Sequence, residues 1–247
     1  MFKTKDSESD SSKENPRIFE DDWKFIRTDI KLVTNDTFER IKKLVNNEYM
    51  SDPNCVYKIC KSLFNKYLVV LQKQEGVLTN ESRHDIFDPN YAKFRSNGLL
   101  VKQIIQLKHI NPNVSCITHK TICIDGHTNY KKYTKYQVNC FVVPDTYCTD
   151  VRQICAGGIH YYKNIQAAFF HHQIVPKKYS GLWFTHYSNG DECTLREYKN
   201  GNIVREFTSS KYIDILTKYT YSCFKKTITR FNVDKNTNEV MYIDQIN

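Results

Sequence analysis

The segment CAGGIHYYKNIQAAFF, residues 155–170, places a cysteine, a glycine pair, a histidine and an aromatic run next to one another. Gly157 and Gly158 can adopt the positive φ angles of a tight turn. The next residues, 159–162, have the composition of a short strand, and Asn164 is a suitable N-cap for a short helix. The apolar face of that helix comprises Ile165, Ala168 and Phe169. The segment therefore predicts a turn, a strand and a packed helix in succession.

Cys155 and His160 are also the residue types of a cysteine-dependent hydrolase. A catalytic thiol needs a base within hydrogen-bond reach and a partly exposed, electropositive setting, and closeness in sequence does not supply that geometry. Free cysteines are among the residues most often buried in proteins. We therefore interpret Cys155, Gly157, Gly158 and His160 as structural, so that His160→Ala loses about 1–3 kcal/mol of stability. A metal- or cysteine-dependent hydrolase centred on Cys155 and His160 is the alternative.

The composition is that of a β-rich globular protein. Of the 247 residues, 40% are hydrophobic and 26% charged, with 17 Tyr and 14 Phe. No stretch approaches the roughly 18 consecutive apolar residues of a membrane-spanning helix, and the polar N-terminus does not resemble a signal peptide. Nine cysteines without a regular framework indicate reduced thiols in a cytosol-like compartment. We expect one or two domains and no transmembrane segment.

The formal net charge of +9 permits attraction to nucleic acid or other polyanions. The lysines are nevertheless spread along the chain, in isolated pairs at 131–132, 177–178 and 225–226. This dispersion does not favour a basic groove, so nucleic-acid binding through a basic surface remains an alternative function.

The N-terminal quarter divides into two parts. Residues 1–16 are almost entirely polar and predict a disordered tail. Residues 17–65 form a predicted N-terminal helical region, whose clearest helix lies in NDTFERIKKLVNNEY, with Asp36 as N-cap and Glu39 three residues later. The following CVYKICKSLF fits both helical and strand spacing, and the pattern does not decide between them.

Residues 66–175 are predicted to form a central α+β module. KYLVVLQK and GLLVKQIIQL are short apolar runs rich in β-forming residues and predict two strands of one sheet. Further strands are predicted at KTICI and KYQVNCFVV.

Residues 176–247 predict a region of β-hairpins. The tetrapeptide at 187–190, Tyr-Ser-Asn-Gly, recurs eleven residues later as Tyr-Lys-Asn-Gly, and Asn-Gly tolerates the positive φ angles of a type I′ turn. Strands are predicted at GLWFTHY and CTLREY, and a terminal hairpin pairs KTITRFNV with EVMYIDQI across DKNTN. The aromatic residues predicted to form a binding surface here are Trp183, Tyr187, Tyr198 and Phe207.

A zinc site is considered at Cys116, His119, Cys123 and His127, which form the pattern C-x2-H-x3-C-x3-H. These are zinc-ligand types, but a zinc cage normally separates its two ligand pairs by a longer loop. A strand with Cys123 facing inward, followed by the turn DGH, explains the pattern more simply. We predict no cofactor, with zinc as the alternative to test. The sequence contains no phosphate-binding glycine loop and no nucleophile elbow.

One family resemblance joins these segments. GVLTNESR, YAKFRSNGLLVKQII and KYQVNCFVVPDTYCTDVRQICAGGIHYYKNIQAAFF resemble, in this order, a module of unknown function in proteins of mimivirus-type giant viruses. The matching positions are Tyr91, Ala92, Lys93, Phe94, Arg95, Cys155, Gly158, Ile159, His160, Tyr161, Tyr162, Ala167 and Ala168. The following YSGLWFTHYSNG and REYKNG are similar to degenerate MORN-like repeats. The resemblance covers roughly residues 66 to 207 and implies no enzyme activity and no cofactor.

We therefore predict an α+β fold with a single mixed, β-rich core, an N-terminal helical region and C-terminal β-hairpin repeats. The predicted function is that of a non-enzymatic viral accessory protein, which binds a protein partner or a membrane surface through aromatic hairpins. The resemblance implies a location in the host-cell cytoplasm or in the virion.

Overall fold

Four helices and fifteen strands make up the regular structure of the part of the chain that is described. The computed structural model describes residues 17–29, 32–33, 36–62, 65–107, 117–127, 132–171, 175, 178–209, 214–222, 225–234, 237 and 239–246. The predicted tail at 1–16 lies outside these residues. The predicted β-rich α+β fold is confirmed. No helix within the described ranges is long and apolar enough to cross a membrane.

The N-terminal region contains three short helices, α1 (Glu20–Ile26), α2 (Asp36–Leu44) and α3 (Asn47–Ser51). The predicted helix corresponds to α2, and Asp36 is its first residue rather than the residue before it. Phe38 and Ile41 of α2 are buried. Acidic residues occupy the first turn of α2 and lysines the last, which complements the helix dipole.

The first seven residues of CVYKICKSLF, which fitted two spacings, form strand β1 (Cys55–Lys61). β1 lies inside its sheet and packs on both faces, so its apolar residues do not alternate with exposed ones. Tyr57 and Ile59 belong to one apolar cluster, whereas Val56 and Cys60 belong to a second cluster on the opposite face. Burial on both faces removes the polar–apolar alternation from which a strand is recognised.

A first sheet has the strand order β3-β9-β1-β2-β4-β5, with β8 also paired to β4. Its strands other than β1 are β2 (Lys66–Gln72), β3 (Lys93–Ser96), β4 (Leu99–Leu107), β5 (Ile117–Lys120), β8 (Phe141–Val142) and β9 (Ile159–Tyr162). The predicted pair KYLVVLQK and GLLVKQIIQL is confirmed, since β2 and β4 are antiparallel neighbours.

A separate hairpin of β6 (Ile122–His127) and β7 (Lys132–Gln137) packs against β1. Asp125 of β6 accepts the backbone N–H of Lys61 at 2.9 Å and pairs with the ammonium of Lys58 at 3.0 Å. The predicted strand KYQVNCFVV is wrong as a single element. A turn with Asn139 at φ 63° separates β7 from β8, since the chain leaves the hairpin there to pair with β4.

The strand and the helix of the opening segment form as predicted, whereas of the glycine pair only Gly158 has a positive φ, 142°. β9 is followed by helix α4 (Ile165–His171), and the side chain of Asn164 accepts the backbone N–H of Gln166 at 2.7 Å. Six of the seven residues of α4 are buried. The helix packs against β1 and β9 on one side and against β10 of the second sheet on the other.

The second, C-terminal sheet is a meander with the order β10-β11-β12-β13-β14-β15. Its strands are β10 (Gly181–His186), β11 (Glu192–Lys199), β12 (Asn202–Thr208), β13 (Ile215–Tyr221), β14 (Lys226–Val233) and β15 (Val240–Ile246). The predicted terminal hairpin is confirmed as β14 and β15. One apolar row crosses all six strands through directly paired residues, and it consists of Phe184, Leu195, Phe207, Leu216, Phe231 and Tyr242.

The two Asn-Gly turns differ from each other. Asn200 and Gly201 both have positive φ, 52° and 82°, as the predicted type I′ turn requires. In the first turn only Gly190 has a positive φ, 90°, so the type I′ prediction is wrong for Asn189-Gly190. A neighbouring loop constrains this turn, because the carbonyl of Asn189 accepts the N–H of Phe87 at 2.9 Å.

Gly190 permits this contact between the C-terminal sheet and the first half of the chain. A Cβ atom on Gly190 would lie 2.0 Å from the carbonyl oxygen of Asp88. The carbonyl of Ser188 accepts bonds from the N–H of Lys93 at 3.0 Å and from the guanidinium of Arg83 at 2.6 Å. The tip of the β10–β11 hairpin is therefore bonded to the loop that leads into β3.

We predict that Gly190→Ala destabilises the protein by more than about 2 kcal/mol, because it adds overpacking to a positive-φ penalty. Gly76→Ala is the matched control. Gly76 also has positive φ, 77°, but its Cβ would meet nothing within 4 Å. This control should lose only about 1 kcal/mol. Urea unfolding of both variants measures the difference, and equal losses would show that the hairpin tip is not closely packed.

Candidate functional site

The turn at 155–158 belongs to a loop that is held by a buried arginine. Arg95 of β3 is 0% exposed and donates hydrogen bonds to several backbone carbonyls. Its Nε donates to Gln153 at 2.7 Å, and its Nη atoms donate to Cys148, Asp150 and Gly157. Because the guanidinium presents five N–H groups in one plane, it satisfies carbonyls that would otherwise be buried without partners. Residues 148–157 are therefore folded around one cation.

His160 has a structural role in the same loop. Its Nε2 lies 3.1 Å from the carbonyl oxygen of Ile154, which fixes the proton on that nitrogen. Burial, together with the nearby ammonium groups of Lys93 and Lys58, lowers the pKa of His160 to about 4. His160 is therefore neutral at pH 7.

Cys155 does not pair with His160. Its exposed thiol lies 3.7 Å from the ammonium of Lys93, while His160 bonds to the Ile154 carbonyl. A thiol and a base that bond to different partners do not form the hydrogen-bonded pair of a cysteine hydrolase. The structural interpretation of the turn therefore has more support than the hydrolase alternative.

The four candidate zinc ligands do not form a metal site in the described residues. Cys116 and the side chain of His127 are not among the parts of the chain that the structure describes. Nδ1 of His119 contacts the amide of Gln103 at 3.3 Å, and Cys123 is 3% exposed and packs in the core. Among the described side chains there is no group of three or more metal-ligating residues. Cys123 faces inward as predicted, but the predicted DGH turn is wrong, since these residues continue strand β6.

Two of the four predicted binding aromatics belong to the core. Trp183 is 1% exposed and donates its indole N–H to the carbonyl of Phe170 at 3.1 Å. Phe207 is 4% exposed and lies in the apolar row of the C-terminal sheet. A surface role is therefore corrected for both residues. Tyr187 is 41% exposed and Tyr198 is half-buried, and both reach the surface.

The C-terminal sheet places Tyr198 among further polar and aromatic residues that the sequence reasoning missed. We name this set the tyrosine surface, and it consists of Arg196, Tyr198, Glu206, Tyr219, Tyr221 and Lys226. Thr217 pairs with Glu206, and Glu206 pairs with Arg196. Alternation along β11 and β13 places the three tyrosines on the same side as these residues. This is the face opposite the apolar row.

Electrostatic contacts organise the tyrosine surface. Arg196 and Glu206 form an ion pair at 2.5 Å, and the ammonium of Lys226 lies 4.5 Å from the ring centre of Tyr219 and 5.9 Å from that of Tyr221. Partial burial raises the pKa of Tyr219, and the charge of Glu206 adds to this shift. The sequence ILTKYTY could have indicated β13, because β-forming residues occupy every second position from 215 to 221.

Most described arginines have their charge satisfied within the protein. Arg205 pairs with Glu197 at 2.5 Å and with Asp22 at 3.1 Å, and Arg230 pairs with Asp244 at 3.3 Å. Arg83 and Arg95 are buried against backbone carbonyls. The described part of the chain thus presents few unpaired guanidinium groups for phosphate contacts.

A cavity of about 660 Å³ lies between α2 and α4. Its wall combines apolar residues with the charged side chains of Glu39, Lys42 and Lys163. Lys163 is already paired with Glu81 at 2.6 Å, so the positive charges of the wall are largely balanced. No charge selectivity for a ligand follows from this lining.

Comparisons with known proteins return no match. No protein-family model, no curated protein sequence and no solved structure is significantly similar to this chain. The similarity to the giant-virus module and to MORN-like repeats therefore stays a prediction from the residues quoted above.

We predict that Arg95→Met costs more than about 3 kcal/mol of unfolding free energy, because several buried carbonyls lose their donor. Arg95→Lys should restore little, since an ammonium cannot reach carbonyls arranged around a planar fork. The control is Arg152→Met, where an exposed ion pair with Asp150 should contribute less than about 1 kcal/mol. Urea unfolding tests this ranking, and full rescue by lysine would contradict it.

We predict that neutral His160 makes the protein sensitive to acid. The pKa is about 6.5 in the unfolded chain and about 4 in the folded protein, so the unfolded chain binds the proton first as the pH falls. The stability that His160 contributes is present above pH 6.5 and is lost between about pH 6.5 and 4.

His160→Gln keeps a donor for the Ile154 carbonyl but cannot titrate. The stability loss between pH 7 and 5 should be smaller in this variant by about 2 kcal/mol, at roughly 1.4 kcal/mol per pKa unit. His84→Gln, at an exposed position, is the control and should follow the wild type. The free energy of unfolding is measured by chemical denaturation between pH 5 and 7. If it falls by the same amount in all three proteins, His160 does not have this role.

Proposed function

We propose that this protein is a non-enzymatic accessory protein that binds a protein partner through the tyrosine surface of its C-terminal sheet. The observation that carries this proposal is the cluster of Tyr198, Tyr219 and Tyr221 around one ion pair on the sheet face opposite the apolar row. Tyrosine and arginine are enriched at protein interfaces, since each combines a large apolar area with a polar group.

The rigidity of the sheet supports this role. The inner apolar row fixes strands β10 to β14 against the core, and cross-strand pairs hold the outer side chains in place. A pre-ordered surface loses little conformational entropy when a partner binds. The cation of Lys226 over two tyrosine rings further restricts their rotamers.

The charge pattern favours a protein partner over a membrane surface or nucleic acid. Anionic lipids and phosphates are bound by clusters of unpaired cations. On the tyrosine surface, Arg196 is neutralised by Glu206, and the neighbouring Arg230 is paired with Asp244. Among the described residues of this surface, Lys226 is the one cation that forms no ion pair with a carboxylate, and one cation does not make a polyanion site.

The place of action follows from the resemblance alone. Similarity to giant-virus proteins and to MORN-like repeats supports a role in the host-cell cytoplasm or in the virion. The bonding of Cys155 and His160 to separate partners supports a non-enzymatic role.

The test uses a double variant, Tyr219→Ala with Tyr221→Ala. Proteins captured by the full chain from a cell extract are identified, purified and titrated against wild type and variants by calorimetry. We expect at least tenfold weaker binding for the double variant, which corresponds to about 1.4 kcal/mol. Tyr133→Ala is the control, because Tyr133 is 64% exposed but lies on the separate β6–β7 hairpin.

Two further titrations decide between partner classes. A single-stranded DNA oligonucleotide and phosphatidylserine vesicles are added to the wild-type protein at low and high salt. Tight binding to either that falls steeply with salt would replace the protein-partner proposal. If the control and the double variant bind every captured protein with equal affinity, the tyrosine surface is not the binding site.

A further inference from the structure

The last strand of the C-terminal sheet is exposed and apolar. Among the described strands, β15 pairs with β14 alone and lies at the edge of the sheet. Five large apolar side chains on this strand are between 42% and 67% exposed, and they are Val240, Met241, Tyr242, Ile243 and Ile246. An open edge of this kind presents unpaired N–H and C=O groups beside apolar side chains, which is a template for another strand.

The sheet edges at β10, β3 and β5 are protected. β10 leads into the hairpin tip that is bonded to Phe87 and Lys93, and β3 is bridged by Thr79. β5 is only four residues long and carries His119 and Lys120. Short, charged or covered edges resist pairing with other chains. β15 differs from them, since its one charged residue is already paired with Arg230.

We propose that β15 pairs with β15 of a second copy of this chain, antiparallel and centred on Met241, so that two C-terminal sheets join into one sheet of twelve strands. An antiparallel pair of identical strands has two-fold symmetry, which closes the assembly at a dimer. This association does not depend on whether the tyrosine surface binds a partner.

The bulge in β15 sets the register. The pairing with β14 shifts between Phe231 and Arg230, which leaves Ile243 as an extra residue of β15. The regular stretch beyond the bulge is 240–242, and its centre is Met241. A register centred on Asp244 would instead place two like charges directly opposite each other, which is unfavourable.

This register continues the apolar rows into the second copy. Val240 lies opposite Tyr242 of the other copy, and each of them is paired within its own sheet with an apolar residue of β14. Val233 pairs with Val240, and Phe231 pairs with Tyr242, and both β14 residues are buried. The row Val233 and Val240 of one copy therefore runs into Tyr242 and Phe231 of the next without a polar interruption.

The contact area indicates a weak dimer. If each of the four exposed apolar side chains at 240–243 buries on the order of 100 Å², the two copies together bury about 800 Å², below the usual size of specific interfaces. Both copies carry a net charge of +9 and repel each other at long range. Because salt screens this repulsion and strengthens apolar burial, added salt should stabilise the dimer.

Self-association is measured by sedimentation of the full chain over a range of micromolar concentrations at low and high salt. We expect a concentration-dependent dimer that becomes at least threefold tighter in high salt. Tyr242→Lys should weaken the dimer at least tenfold. The control Tyr133→Lys adds the same charge to the β6–β7 hairpin and should dimerise with the affinity of the wild type. A monomer at every concentration and salt would overturn the proposal, as would a dimer that both variants weaken equally.

A cross-linking experiment tests the register. Residues opposite themselves in an antiparallel pair have Cα atoms about 4.5–5.5 Å apart. This separation suits a disulfide, so Met241→Cys should cross-link rapidly in oxidised glutathione. Gln245→Cys lies outside the paired stretch and should cross-link no faster than wild type, whose exposed Cys140 and Cys155 give the background. Faster cross-linking at 245 than at 241 would contradict the Met241-centred register.

The outcomes separate this proposal from the proposed function. Tyr242→Lys changes the sheet edge, whereas Tyr219→Ala with Tyr221→Ala changes the tyrosine surface. Loss of dimer with retained partner binding leaves the proposed function intact, and a monomeric wild type that binds its partner overturns only the dimer.

Discussion

Burial of helix α4 between two sheets is the constraint on which the rest of the structure depends. α4 carries no charged residue before its terminal histidine, and six of its seven residues are buried. Phe170 stacks on Phe184 of β10 with ring centres 4.4 Å apart, and its carbonyl accepts the indole N–H of Trp183. On the opposite side α4 contacts β1. Without this helix, the apolar parts of both sheets that α4 covers would be exposed to water.

The two halves of the chain are further held by cations that bond to backbone carbonyls. Arg95 organises the loop before β9, and Arg83 reaches the hairpin tip at Ser188. A buried anion also joins the two halves. The carboxylate of Asp22 in α1 accepts hydrogen bonds from Arg205 and Lys218 of the C-terminal sheet. Burial raises the pKa of Asp22, but the hydrogen bonds from these cations outweigh that effect, so that the pKa of Asp22 lies below its usual value. Buried charges of this kind specify one arrangement because each has few alternative partners.

The same C-terminal sheet serves two purposes on its two faces. Its inner row of apolar residues fastens it to the helices, and its outer face leaves the tyrosine surface accessible. In the described part of the chain, β15 is the outermost strand of the meander, and it continues the inner row to the edge of the sheet with β14 as its one paired strand. A single hydrophobic row thus stabilises the fold and provides the edge at which a second copy would add its own strands. Partner binding and self-association would then use different faces of one rigid element.

The sequence by itself determined those elements whose signals are local. The strand at 159–162 and the helix capped by Asn164 follow from residues a few positions apart, and both occur as predicted. Local chemistry likewise predicted α2, the β2–β4 pair and the terminal hairpin.

Tertiary structure alone decided the features that depend on residues distant in sequence. β1 lost its alternation because the sheet buries both of its faces. Trp183 and Phe207 became core residues because α4 and the apolar row cover them. Arg95 became the centre of a loop some 55 residues away, a role that no local pattern encodes. The tyrosine surface arises in the same way, since only strand pairing brings Tyr219 and Tyr221 beside Arg196 and Glu206. Side-chain periodicity specifies the face of an element, but packing decides what that face meets.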